Sequence, residues 1–107
     1  MGRARGLESV PLATRTPIAE PLLDPAARAA LPEPECALDT SGTLCPFPIV
    51  ETARALKALP AGAVIRVVAT DPGITLDMPM WCKATRNEHL GTYRDGAAFV
   101  SYVRKRR

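Results

Sequence analysis

The sequence is short of the residues on which most enzyme chemistry rests. It holds one histidine, His89, with no cysteine or aspartate at metal-ligand spacing, so no zinc site is expected. No Gly-rich phosphate loop, Ser/His/Asp set or paired-carboxylate arrangement occurs, and neither cofactor nor metal is expected. No run approaches the ~20 consecutive apolar residues of a membrane helix. Residues 1–12 lack the apolar run and small-residue cleavage site of a secretory signal. These absences predict a cytoplasmic chain with no membrane partner. Cysteine is sparse too: Cys36, Cys45 and Cys82 are few for a secreted disulfide scaffold, and an odd number leaves at least one thiol outside any intrachain pair. Charge is mild. A formal +3 gives no ground by itself for nucleic-acid binding.

A chain of 107 residues has room for one modest core. Proline marks its organisation, with six of the eleven falling before residue 37 among Ala, Arg and Glu, and with no apolar periodicity beyond 25–31. Such a segment buries too little apolar surface to offset the ~1–2 kcal/mol per residue of backbone ordering. Residues 1–36 therefore read as a largely disordered extension, with room for a helical turn at 26–30, and 37–107 as the folded domain. The extension carries four arginines and five acids, a net of −1, so the folded part holds +4 and is the basic part.

From Ala37 the pattern predicts a short strand over 37–40, a turn at Ser41–Gly42–Thr43, and a helix opening at Pro46 with Cys45 at its N-cap. Pro46 and Pro48 fall in the first turn, where backbone N–H groups have no intrahelical partner and proline costs little. Ile49, Ala53 and Leu56 make the expected buried stripe, and Gly62 the expected stop. The β-branched run within 63–70 predicts a strand with Ile65, Val67 and Ala69 on one face. Asp71 is placed as the cap of a second helix carrying Ile74, Met78, Trp81 and Thr85, with a kink or restart at Pro79 and its main part at 79–86. A hairpin of 88–94 and 97–104 about a type I′ turn at Asp95–Gly96 closes the chain. The order β-α-β-α-β-β predicts a two-layer α/β sandwich, two helices on one face of a four-stranded mixed sheet.

Cys45 is the residue the chemistry points to. Where a turn feeds a helix, the partial positive charge of the helix end favours a thiolate over a thiol. The effect is modest here: Pro46 and Pro48 have no N–H, which leaves Phe47 and Ile49 as backbone donors, and no Lys, Arg or His lies within five residues. Gly42, Leu44, Cys45, Pro46 and Pro48, within Gly42–Thr43–Leu44–Cys45–Pro46–Phe47–Pro48, resemble the Gly-x-Leu-Cys-Pro-x-Pro signature of the TusA-type sulfur carriers, also called the SirA-like family. Asp39, Asp71–Pro72, Pro79 with Cys82, Asp95–Gly96 and the basic end extend the resemblance over about 37–107. It implies a Cys45 that accepts sulfane sulfur as a persulfide from a cysteine-desulfurase or rhodanese-type donor protein and relays it to an acceptor protein. Relatives serve tRNA thiolation, molybdenum-cofactor formation or sulfur oxidation. Such a carrier needs one nucleophilic thiol and no neighbouring resolving cysteine, and Cys45 has none nearby in sequence.

Cys82 reads first as a packing cysteine, with a secondary sulfur-handling role as the alternative the resemblance allows. Cys36 falls in the extension and is given no role. Arg54, Lys57, Arg86 and the basic run Arg104–Arg107 read as solvated surface or as a field steering acidic partners. Two other functions stay open at this level. A thiol-redox protein would need two thiols within bridging distance. A small nucleic-acid or protein-binding module would use the basic end with Tyr93, Phe99 and Tyr102 as stacking platforms.

Overall fold

The structure, a computed structural model, describes residues 21–44 and 46–106. Strands β1 (Cys36–Asp39), β2 (Val64–Ala69), β3 (Glu88–Asp95) and β4 (Ala98–Arg104) form a mixed sheet in the order β1-β2-β4-β3. Leu38 stands opposite Val67 in the parallel β1–β2 pair, and the other two pairings are antiparallel. Parallel neighbours need a crossover. It is supplied by α2 (Phe47–Lys57), while α3 (Ile74–Thr85) leads from β2 into the hairpin and α1 (Pro25–Ala29) precedes the sheet.

The alternation read from β2 is observed. Ile65, Val67, Ala69 and Val103 turn to the helices and pack on Leu56 of α2 and on Ile74, Met78 and Cys82 of α3. Each of these is essentially removed from water, and large apolar side chains buried in this way stabilise by about 1.5–3 kcal/mol apiece. Val64, Tyr93, Val100 and Tyr102 form a second cluster on the opposite face. The expected two-layer sandwich with α2 and α3 on one side is thus present.

The second face holds the main surprise. Residues 21–35, expected within a disordered extension, cross it: Leu23 donates its N–H to the Thr92 carbonyl at 2.8 Å, and Glu35 donates to the Val64 carbonyl at 2.8 Å. Local physics explains how so polar a stretch is held. Asp24 caps α1 by accepting from the Ala27 amide at 2.7 Å, with Pro25 in the first turn, and Leu23 and Leu31 reach the second cluster. Residues 1–20 lie outside the described residues. Cys36, read as part of that extension, is the first residue of β1 and packs half-buried against the main core.

Six local expectations also change. The helix after the motif begins at Phe47 with Pro46 as its N-cap and ends at Lys57 with Ala58 as its C-cap; Gly62 lies beyond a Pro60 turn and bonds to Lys105 instead. Its fully buried stripe is Pro48, Thr52 and Leu56, with the Thr52 hydroxyl donating to the Pro48 carbonyl at 2.7 Å, so a polar residue takes a position the apolar pattern assigned to its neighbours. Pro79 sits inside a continuous α3, where it leaves out one amide of the hydrogen-bond ladder without breaking the helix, and Gly73 rather than Asp71 holds the N-cap position. In the hairpin Asp95 pairs with Ala98, so the loop is Gly96–Ala97, and of these only Gly96 has positive φ (62°), the pattern of a type II′ turn rather than I′.

Candidate functional site

The segment that carries Cys45 leaves the C-terminal end of β1 and is tied down residue by residue. Thr40 donates its amide and its hydroxyl to the Val68 carbonyl, each at 2.7 Å, which fastens the loop's start to β2. The Asp39 carboxylate accepts from the Ser41 amide at 2.9 Å, and hydrogen bonds from the Ser41 hydroxyl and amide hold it below the usual carboxylate range. Thr43 closes the turn by donating its amide and hydroxyl to the Thr40 carbonyl, at 3.2 and 2.7 Å. Gly42, at φ 85°, donates to the Thr70 hydroxyl across from the end of β2, at 2.8 Å.

Cys45 itself lies outside the described residues. Its chain neighbours are plain to see. Leu44 is 70% exposed and Phe47 58%, Pro46 is exposed, and Val50, one turn along α2 from Phe47, is 42% exposed. Single exposed apolar residues are ordinary, but Leu44, Phe47 and Val50 are three within seven positions of the chain, an apolar collar suited to a protein surface. Pro48, by contrast, is buried and anchors the first turn to the core. The Phe47 amide, read from the sequence as one of two backbone donors at the helix start, donates to the Leu44 carbonyl at 2.9 Å.

Beside the collar a groove runs between α2 and α3, lined by Ile49, Val50, Ala53, Arg54, Lys57 and Trp81. It continues past Lys57 and Trp81 to Thr85 and Lys105. The basic residues therefore separate into two places. Arg54 and Lys57 rim this groove, whereas Arg86 and Arg106 flank a second hollow at the far end of α3 together with Cys82, Lys83 and Glu88. Arg104 and Arg106 spend charge on Glu88, at 3.1 and 3.3 Å.

Cys82 is 1% exposed within the main core, as a packing cysteine would be. His89 faces Thr92 across a bulge in β3, its Nε2 3.1 Å from the threonine hydroxyl, which in turn lies 2.7 Å from the Ser101 hydroxyl. Among the described residues no group of three His, Cys, Asp or Glu side chains could hold a metal, and no helix is long and apolar enough to cross a membrane.

With this geometry in hand, comparison with known proteins is decisive. The family model described as sulfurtransferase TusA matches residues 37–105. The chain belongs to the TusA family. YrkF of Bacillus subtilis is 44% identical over 68 residues, and the chain spans only 37% of that relative's length. The sulfur carrier protein TusA of Allochromatium vinosum is 38% identical over 68 residues, which are 64% of this chain and 90% of that one. A SirA-like protein from Desulfitobacterium hafniense, at 15% identity, shares the fold with a TM-score of 0.59 over 67% of this chain and 99% of its own. The TusA match thus begins after α1 and leaves 21–35 outside it. Thr40, Thr70 and Trp81 are the site residues that sequence reading passed over; Gly42 and Thr70 are 28 positions apart, and no local pattern announces such a contact.

Proposed function

We propose that this chain is a sulfur carrier in which Cys45 takes sulfane sulfur from a donor protein and hands it to an acceptor protein. The carrying observation is that the Gly42–Pro48 motif of a TusA-family domain joins a turn fastened to the end of β2 and an exposed apolar collar. In the first step the Cys45 thiolate attacks the terminal sulfur of the donor's cysteine persulfide. The donor S–S bond breaks, its cysteine leaves as thiolate, and Cys45 carries the persulfide. In the second step an acceptor thiolate attacks that outer sulfur and Cys45 leaves as thiolate. Each step exchanges one S–S bond for another, so neither needs an added oxidant, a metal or a cofactor.

In this reading Gly42, Leu44, Pro46 and Pro48 set the backbone that presents the thiol, and the collar and the Arg54–Lys57 rim receive the partner proteins. A cytoplasmic setting, where thiols stay reduced, suits such a carrier. The pathway served, whether tRNA thiolation, cofactor biosynthesis or sulfur oxidation, is set by the partners. Nucleic-acid stacking is less well supported, because Tyr93 and Tyr102 are buried beneath residues 21–35. Intact-protein mass spectrometry with peptide mapping tests the proposal, after incubation with a cysteine desulfurase and cysteine. One sulfur atom on Cys45, absent in Cys45→Ser and lost to an added thiol acceptor, is the expected result. An unmodified Cys45 with several persulfide donors would refute the carrier reading.

A further inference from the structure

The face of the sheet turned away from α2 and α3 is shaped to take a short segment. Its floor is Val64, Tyr93, Val100 and Tyr102. Gly91 makes a notch in that floor. A Cβ built there would lie 2.5 Å from Leu23 Cδ1 and 2.7 Å from Cδ2, so the missing side chain is the space that Leu23 fills. Five residues on, the Arg28 guanidinium stacks on the Tyr93 ring, 3.9 Å from its centroid. Arg66, opposite Tyr102 in the register, also meets this tyrosine: hydrogen bonding with Tyr93, and more weakly with Tyr102, raises the pKa of Arg66 further. Leu31 packs on the cluster, and Glu35 finishes the crossing by accepting from the Val64 amide at 2.6 Å.

This occupancy is specific yet shallow. No residue of 21–35 is fully buried, and α1 buries none of its side chains. A segment held by a few contacts, with little buried apolar surface, opens at far lower cost than the core beneath it. Relatives differ here. The match to the Allochromatium vinosum protein leaves only about a tenth of that relative outside it, too little for a segment of this length.

We infer that the outer face of the sheet is a binding surface for a Leu-x4-Arg-x2-Leu segment, and that residues 21–35 are its built-in, detachable occupant. A partner offering that pattern must displace the strap, so in this chain the outer face is closed to competitors while the helix side stays open. The inference does not depend on the sulfur-carrier reading.

The test uses the full chain, 15N-labelled, and a synthetic peptide of residues 21–35 as probe. Leu23→Asp/Arg28→Asp releases the strap. The peptide is expected to shift the Gly91, Tyr93 and Tyr102 amides of the released variant. On wild type the shifts at the same concentration should be about ten-fold smaller or less, because a tethered occupant competes at an effective concentration near millimolar. A peptide carrying both substitutions should shift neither. In wild type, hydrogen exchange at the Leu23 amide should outpace that of Ile65 and Val67 by about 100-fold or more. Equal binding to wild type and variant would show that the strap does not occupy the face. A folded variant that ignores the peptide would show that the face is no binding surface. Collapse of the variant's sheet, or exchange of Leu23 as slow as the core, would show that the strap cannot detach.

Discussion

The Thr70 hydroxyl, at the end of β2, accepts a hydrogen bond from the Gly42 amide at 2.8 Å and so ties the turn before Cys45 to the sheet. The bond is solvent-exposed, and its net worth is about 0.5–1.5 kcal/mol. Thr70→Val is therefore expected to leave the fold intact and to slow sulfur transfer roughly 3–10-fold through a looser presentation of the thiol. Thr70→Ser should restore the rate. Single-turnover transfer from a persulfide donor measures it, and a Val variant as fast as wild type would remove Thr70 from the site.

Arg54 and Lys57 line the groove next to the collar and point to a partner of opposite charge. Arg54 faces Glu51 at 3.5 Å, but that pair is well exposed and contributes little. Replacing both cations by glutamate should lower the association rate with an acidic donor by about 10-fold or more at low salt, with the gap narrowing as salt rises. Stopped-flow association at two ionic strengths reads this directly. Sulfur loading on Cys45 from a small-molecule donor should be unchanged.

Lys105 extends from beyond β4 to the end of α2, where its Nζ donates to the Leu56 and Leu59 carbonyls at 2.7 and 2.6 Å. The Leu56 carbonyl also accepts from the Leu59 amide at 3.1 Å, so Lys105 adds a second, charged donor there, and the cation meets the negative end of the helix dipole. Lys105→Met is expected to cost about 1–3 kcal/mol, a fall in Tm of several degrees for a domain of about this size. Thermal unfolding by circular dichroism checks it.

Asp39 gives the loop a pH dependence of definite sign. Its carboxyl is held below the ordinary value by Ser41, so its contribution is complete above the unfolded value of about 3.9 and is lost only as pH falls through the lower folded value. The Ser41 amide resonance should therefore titrate with a midpoint in the acid range below that of an unstructured aspartate. Between pH 6 and 8 the loop should not change, so any pH dependence of transfer there belongs to another group. A Ser41 midpoint at or above the ordinary value would contradict the hydrogen-bonded geometry.

Much of this was legible along the chain because it rests on near-neighbour rules. Alternation placed Ile65, Val67 and Ala69 on one face, since the side-chain period of a strand is fixed by its backbone. The two-helix, four-strand order followed from turn residues and apolar periods. The motif at Gly42–Pro48 identified the family, which the match over 37–105 establishes.

Other readings failed where two local rules competed. Thr52, not Ala53, lies in the buried stripe of α2, because a threonine can spend its hydroxyl on the carbonyl one turn back and then pack like an apolar residue. Pro79 reads as a breaker by propensity, but packing of Ile74, Met78 and Cys82 against the sheet keeps α3 continuous across it.

The sequence by itself determined the strands, the helices, the order in which they follow and the cysteine to examine, because each depends on residues a few positions apart. Only the tertiary structure decided what those elements meet. The fastening of Gly42 to Thr70, the capping of α2 by Lys105, and the seating of Leu23 over Gly91 join positions 28, 46 to 49, and 68 residues apart. The proline-rich composition of 21–35 offers no core of its own, and on that ground the segment reads as disordered. A face of Val64, Tyr93, Val100 and Tyr102 that needs covering gives it a place to order, and that face exists only once the sheet has formed.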